Sequence, residues 1–252
     1  MINKFIKTHD VGYLLGEISD NTLHKHYAVQ IVISLRENII LHTNKTYKTS
    51  KSQIIKSMEP HRLDCLGQHV LILLINPVSK LGHLLNKHSD AKTVKLSQKQ
   101  WIENLRDLAI NWYNNSITNL EFKKAIEKVS EEFTNENNKC FHESDKRILS
   151  ALELLRENVE NITSLERIAS QVFLSPSRFI HLFKIETGIT YRRMQLWNKL
   201  MASIDDISKH KSITDLAYAH GFSDSAHYSR TFKQTFGINP KDFFKFSQFI
   251  QF

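Results

Sequence analysis

The sequence predicts an α+β chain of two domains: a β-rich N-terminal half closed by a helical pair, then an all-α C-terminal part. Three observations carry this. The chain has 252 residues, 41% of them apolar, enough for two ordinary cores. Short runs of Ile, Val and Leu broken by polar turns continue as far as Pro77, and after Leu96 the apolar period becomes helical. Between Thr163 and Phe244 one helix-turn-helix pattern occurs twice.

The strand region runs from about Tyr13 to Pro77, with strands expected at Ala28 to Leu35, Ile39 to His42, Gln53 to Ile55 and Val70 to Ile75. These β-branched, apolar runs suit a buried pleated surface. His24 and His26 flank a single residue, so on a strand both imidazoles point to one face. With His61 they form a candidate ligand pocket. Three histidines can also hold a metal ion, usually with a further ligand, and Glu59 could serve only if turned inward. The expectation is packing, hydrogen bonding or ligand contact, with no metal and no cofactor.

Two helices should follow. Ser97 can cap the first, which carries Trp101, Ile102, Leu105, Leu108, Ala109 and Trp112 on one side. The second spans about Leu120 to Phe133, with Phe122, Ala125, Ile126, Val129 and Phe133 apolar. The segment Thr134 to Glu143 is polar and helix-poor. Domain boundaries are therefore set at 1–137, a linker at 138–143, and 144–246. Ser144 and Asp145 open the first helix of the second domain, with Ile148, Leu149, Leu152 and Leu155 inward.

The first copy of the repeat is Thr163 to Met194. Leu165, Ile168, Ala169 and Val172 fall at i, i+3, i+4 and i+7, one helix face. Thr163 and Glu166 can form a capping box. Ser175-Pro176 is a cap followed by proline at the first helical position. Outward on this helix are Ser177, Arg178, Ile180, His181 and Lys184.

The second copy is Ser212 to Phe244. Ser212 caps a helix with Ile213, Leu216 and Ala217 inward, and Gly221 supplies the turn. Ser223 is expected to cap the next helix, whose Tyr228 and Phe232 point inward. Ser225, Ala226, Ser229, Arg230 and Lys233 are then outward. Gly237 ends that helix and Pro240 starts another.

Phe183-Lys184 and Gly188-Ile189 match Phe232-Lys233 and Gly237-Ile238 at a spacing of 49, while Ala169/Ala217 and Ser175/Ser223 match at 48. One extra residue is thus expected in the second copy between its Ser cap and its Phe-Lys pair. Phe173 stands where the second copy has Gly221, so the first turn is expected to be strained or differently shaped.

Residues Ser144 to Lys245 resemble the DNA-binding domain of the AraC/XylS family of bacterial transcription regulators. The resemblance is carried by GFSD at Gly221 to Asp224, then Tyr228, Ser229, Arg230, Phe232 and Lys233, then Phe236-Gly237 and Pro240. It implies seven helices, with two helix-turn-helix subdomains joined by one long helix. The chain differs at Phe173, where a small residue is common, at Tyr191, where Pro is common, and at Lys199, where Arg is usual.

The N-terminal half resembles the cupin-like β-barrel of many such regulators. His24-Lys25-His26, the strand after it, Glu59-Pro60-His61 and the run Val70 to Ile75 carry that likeness. Arg36-Glu37-Asn38 stand where a glycine is usual. The resemblance implies a sensing or dimerisation domain. The helical pair would then either form a dimer interface or pack on the barrel.

These readings point to a sequence-specific, DNA-binding transcription regulator rather than an enzyme. Lys and Arg side chains would neutralise phosphates, and outward residues of the two reading helices would meet base edges. Ser225, Ser229 and Arg230 are expected to read in the second helix, and Ser177, Ile180 and His181 in the first. Arg178 and Lys184 lie nearer the DNA backbone. The long helix, about Tyr191 to Lys209, would span about 28 Å. Partners are double-stranded DNA, with RNA polymerase, a small-molecule effector and a second copy of the chain as candidates. Two alternatives stay open: a metal-dependent cupin enzyme fused to a DNA-binding module, and a regulator controlled by a protein partner.

Charge agrees with a polyanionic partner. The net charge is +8, and residues from Asn161 onward hold 12 Lys and Arg against 7 Asp and Glu, a net of +5. Cys65 and Cys140 have no metal-site or disulfide-framework spacing, which suits a reducing cytoplasm. MINKFIKTHD lacks the apolar core of a signal peptide, and the longest apolar run, Val70 to Ile75, is too short to span a membrane. No G-x-S-x-G, Walker loop or G-x-G-x-x-G is present.

Overall fold

The computed structural model describes residues 4–19, 22–44, 46–88, 96–137, 145–157, 163–210, 212–244 and 248–250. The chain packs as two compact units: residues 1–140 with 234–252, and residues 141–233. The expected linker 138–143 and Ser144 lie outside the described residues, as does Cys140.

The first unit has strands β1 (Lys4–Lys7), β2 (Val11–Glu17), β3 (Val29–Ser34), β4 (Ile39–Thr43), β5 (Tyr47–Ser50), β6 (Ser52–Ile55), β7 (His61–Asp64), β8 (His69–Ile75) and β9 (Gln248–Ile250). They form a six-stranded sheet, β6-β3-β8-β2-β1-β9, and a three-stranded sheet, β5-β4-β7. Every pair is antiparallel except β1 with β9, where Phe5 lies opposite Phe249 in parallel register. The expected closed barrel is therefore corrected to two separate sheets. The edge partners β1 and β9 are too short for alternation to announce them.

The central strands are buried on both faces, and the alternate residues of one face form the core under the helices. Tyr13 and Leu15 on β2, Val29, Ile31 and Ile33 on β3, and Leu71, Leu73 and Ile75 on β8 all belong to one core. Three helices cover that face: α1 (Lys80–His88), α2 (Leu96–Tyr113) and α3 (Asn119–Glu136). Helix α1 was not expected; its cap is Ser79, whose hydroxyl accepts from the Gly82 N–H at 3.1 Å.

Helices α2 and α3 run antiparallel, with Trp101 stacked on Phe133 at 4.2 Å and Trp112 on Phe122 at 4.0 Å. Trp112, Phe122 and Ile126 are fully buried in the sheet-side core. Of the two expectations for this pair, packing against the strands is what its apolar face does. Ser97 lies inside α2 rather than at its cap. A capping box between Thr118 and Glu121 starts α3.

The helices of the repeat follow in order: α4 (Lys146–Glu157), α5 (Leu165–Gln171), α6 (Pro176–Thr187), α7 (Tyr191–Asp205), a 3-10 turn at Ile207–Lys209, α8 (Ile213–Ala219), α9 (Ser225–Phe236) and α10 (Pro240–Phe244). Asp145 caps α4, accepting from the Arg147 N–H at 2.9 Å. The long helix α7 ends at Asp205, one turn short of the expected Lys209, and so spans about 22 Å.

Candidate nucleic-acid interface and histidine pocket

Helices α5 and α6 form the first helix-turn-helix. The cap of α5 is Ser164, whose hydroxyl accepts from the Arg167 N–H at 3.2 Å, not Thr163. The Thr163 carbonyl is used elsewhere, accepting from the Tyr191 hydroxyl at 2.6 Å and the Gln195 amide at 3.0 Å. Tyr191 thereby ties the start of the long helix to the start of this subdomain. Its ring packs edge-on against Phe179 and Phe183. Helix α6 has the expected cap: Ser175 accepts from the Arg178 N–H at 3.3 Å, Pro176 opens the helix, and Gly188 ends it left-handed.

Helices α8 and α9 form the second. Ser212 caps α8 as expected, accepting from the Asp215 N–H. The cap of α9 is Asp224 rather than Ser223. Its carboxylate accepts from the His227 N–H at 2.6 Å, which holds the carboxyl below its ordinary range. Counted from the true caps, α6 and α9 correspond at a spacing of 49 from first residue to last, twelve residues each. The extra residue of the second copy therefore sits in the turn before Asp224, not inside the helix.

The turns themselves share one shape. Phe173 has φ 57° and Gly221 φ 67°. The Leu174 N–H donates to the Ala169 carbonyl at 2.9 Å, and the Phe222 N–H to the Ala217 carbonyl at 2.9 Å. The expectation of a different first turn is corrected on this point, while the left-handed strain on a phenylalanine is real. The Phe173 ring is 91% exposed, so it meets no obstacle. In the second turn the Lys199 ammonium donates to the Gly221 carbonyl at 3.1 Å.

The inward and outward faces separate as expected. Phe179, Phe183, Tyr228 and Phe232 are fully buried. Ser177, Arg178, Ile180, His181 and Lys184 are exposed on α6; on α9 Ala226 and Arg230 are exposed, with Ser225, Ser229 and Lys233 half-buried. Ser177, Ile180, His181, Lys184 and Ile185 line a shallow recess. Each unit-length helix thus presents a polar and basic strip above an aromatic core.

The first unit brings His24, His26 and His61 together, with ring centroids 4.3, 5.1 and 5.6 Å apart pairwise. All three are buried. Each Nδ1–H donates to a backbone carbonyl: His24 to Thr22 at 3.1 Å, His26 to Ala28 at 3.0 Å, His61 to Glu59 at 2.8 Å. That leaves each Nε2 with the lone pair. Gln30 Oε1 is placed 2.8 Å from His26 Nε2, and with Nδ1–H given to Ala28 a neutral imidazole requires that amide to be flipped so that its NH2 donates. His61 Nε2 is buried without a hydrogen-bond partner among the described residues.

Burial first, and repulsion between the rings second, push His24 and His61 down to about 4 and His26 to about 3. The pocket is thus neutral near pH 7. One ligand atom from each histidine lies within 4.8 Å of the others, a donor set with the chemistry for a divalent transition metal. Glu59 is not a fourth ligand: its carboxylate accepts from the Lys56 N–H at 3.2 Å. A second such group, Asp206, His210 and His220, has its carboxylate engaged by Lys209 at 2.5 Å. The three histidines grouped from the sequence do converge, and an antiparallel bridge between His24 and His61 brings them together.

Comparison with known proteins agrees with this geometry. Residues 168–245 match the family described as helix-turn-helix domain. The XylDLEGF operon transcriptional activator of Pseudomonas putida is 23% identical over 174 residues, covering 62% of this chain and 54% of that one. The bifunctional transcriptional activator/DNA repair enzyme Ada of Escherichia coli (strain K12) is 34% identical over 102 residues, 40% of this chain and 28% of that one. The chain thus spans about half the length of the first of these relatives, or less. A crystal structure of apo ToxT from Vibrio cholerae shares the fold over 97% of this chain and 96% of that one, with TM-score 0.60 and 15% identity. ToxT with an unsaturated fatty acid bound aligns at TM-score 0.56 and 13% identity.

Proposed function

We propose that this chain, whose residues 168–245 match the helix-turn-helix domain family, is a sequence-specific DNA-binding transcription regulator of the AraC/XylS type. The observation that carries this is the twin helix α6/α9. Two helices of equal length and phase carry outward Arg178, Lys184, Arg230 and Lys233 over buried aromatic cores. Lysine and arginine on the strips bind phosphates and give affinity; the polar side chains between them face base edges in successive major grooves. Arg230 can pair bidentately with guanine, and Ser177, His181, Ser225, Ala226 and Ser229 complete the reading surface. No described helix is long and apolar enough to cross a membrane. We place the regulator in the cytoplasm.

The histidine pocket is the signal-receiving site in this reading. A buried, neutral cluster between the strands suits a small molecule with a hydrogen-bond donor for His61 Nε2. The name of the fatty-acid-bound ToxT structure makes a carboxylic lipid a first compound to screen. The unpartnered His61 Nε2 also favours a second reading, in which the signal is a divalent metal ion held by the three imidazoles. Partnership with RNA polymerase, and a homodimer formed through the outer surface of α2 and α3, belong to the same proposal.

The test is selection of duplexes from a random pool by the full chain, followed by titration of the winner against salt. An enriched sequence whose log affinity falls linearly with log salt, by about 0.9 per phosphate contact, supports the reading. A folded chain that enriches no sequence at any salt refutes it. Metal analysis of the same preparation, with and without the triple replacement of His24, His26 and His61, separates the two pocket readings. Any substrate turnover by the metal-loaded form would favour the enzyme alternative.

A further inference from the structure

We propose that Ile180 reads the 5-methyl group of thymine, so that the first reading helix selects its half-site through an apolar contact. This rests on the DNA-binding reading above. At the spacing of 49 set by the true caps, Ile180 stands where α9 has Ser229, and Ile185 where it has Gln234. Backbone phase is the same and the chemistry is opposite.

Ile180 is 45% exposed and Ile185 is 63% exposed. A β-branched residue on the outer face of a helix gains little there. Branching lowers helix propensity, and exposure forfeits the transfer energy that burial would return. The contrast with inward Phe179 and Phe183 shows that the helix does not need Ile180 for its core. Its stem lies in the shallow recess with Ser177, His181, Lys184 and Ile185. Apolar surface is therefore ringed by a hydroxyl, an imidazole and an ammonium group.

That ring identifies the occupant. Lys184, one turn beyond Ile180 and in the same recess, is exposed and can engage a phosphate at the edge of a groove. Between the phosphates, the apolar group that a base pair offers on its major-groove edge is the thymine methyl. A polyanion with one apolar feature matches an apolar spot beside a cation. The burial of one methyl corresponds to about a fourfold gain in affinity. At the position matching Ile180 the second helix has Ser229, which selects through a hydrogen bond instead.

The probe is the best duplex from the random-pool selection, with each thymine replaced in turn by deoxyuridine. This removes the methyl and leaves every base-pair and groove hydrogen bond in place. Wild-type chain should lose about fourfold at one or two positions of one half-site and nothing elsewhere. Ile180→Ala should bind thymine and uracil duplexes alike there, with an unchanged melting temperature showing that the fold is intact, and Ile180→Val should keep part of the difference. A specific duplex that wild type binds with no sensitivity to uracil overturns the methyl contact and leaves DNA reading standing. Sensitivity that survives in Ile180→Ala gives the contact to another side chain and overturns the assignment. If no sequence is enriched at all, the DNA-binding reading fails first and this inference with it.

Discussion

The hydroxyls of Ser203 and Tyr228 lie 3.0 Å apart, both fully buried, and join the long helix α7 to the second reading helix α9. Ser203 already donates to the Leu200 carbonyl at 2.7 Å, so the phenol is the donor between them. Burial pushes the Tyr228 phenol up to about 12, which keeps that proton in place across ordinary pH. Tyr228→Phe should therefore cost about 1 kcal/mol, since it removes one buried hydrogen bond and leaves the serine proton satisfied. Urea unfolding checks this; a loss above about 3 kcal/mol would mean that the phenol oxygen supports more than Ser203.

The left-handed turn residue gives a prediction of opposite sign. Phe173 holds φ 57° with its ring in solvent, whereas the twin position is Gly221. Phe173→Gly should stabilise the chain by about 1 kcal/mol, because the strain is released and little burial is lost. Gly221→Ala should destabilise it by a similar amount, since φ 67° is a left-handed backbone that a Cβ strains, and the Lys199 ammonium must also move away from the new Cβ. Equal and small effects at the two sites would show that turn shape does not matter to stability.

Acid should unfold the first unit through its histidines. Their folded values lie below the ordinary 6.5, at about 4, 3 and 4, so the unfolded chain binds their protons more readily. The stability they contribute is full above about pH 6.5 and is lost as pH falls toward about 4. The midpoint in urea should drop steeply between pH 6.5 and 4.5. In a triple variant with Phe at His24, His26 and His61 that drop should flatten. An identical pH profile in wild type and variant would mean that the pocket opens to water.

Reading and gripping should separate on α9. Arg230 is exposed and Lys233 lies one turn later, half-buried. Arg230→Ala should cost about 1–3 kcal/mol at the best site and flatten preference at one base position. Lys233→Ala should weaken all duplexes alike and reduce the salt slope by about one. His181 holds the matching place on α6 with a shorter side chain, and its loss should matter less. Competition over all single-base variants decides; an even loss for Arg230→Ala beside an erased base preference for His181→Ala would reverse the ranking.

Much of the second half was legible because its signals are local. Helix faces at Leu165 to Val172 and Ile213 to Ala217, and the glycine stops at Gly188 and Gly237, lie within one or two turns of chain. The caps were read one residue early twice, at Thr163 and Ser223. A hydroxyl or carboxylate at either of two neighbouring positions can accept from the first helical N–H groups, and only the backbone path chooses between them.

By itself the sequence determined the twin helices, their inward aromatic and outward polar faces, and the strand-rich half that precedes them. Each depends on periodicity, which a residue and its near neighbours set. Tertiary structure alone decided the rest. Two sheets form instead of one closed barrel, because closure depends on which edges find partners far along the chain, as β1 finds β9. The apolar face of α2 and α3 is covered by the sheet, because Trp112 and Phe122 meet a core built from β2, β3 and β8. The histidine cluster exists because His61 is brought to His24 across 36 intervening residues by a β-bridge. Burial then makes those imidazoles neutral, a property that no spacing in the sequence encodes.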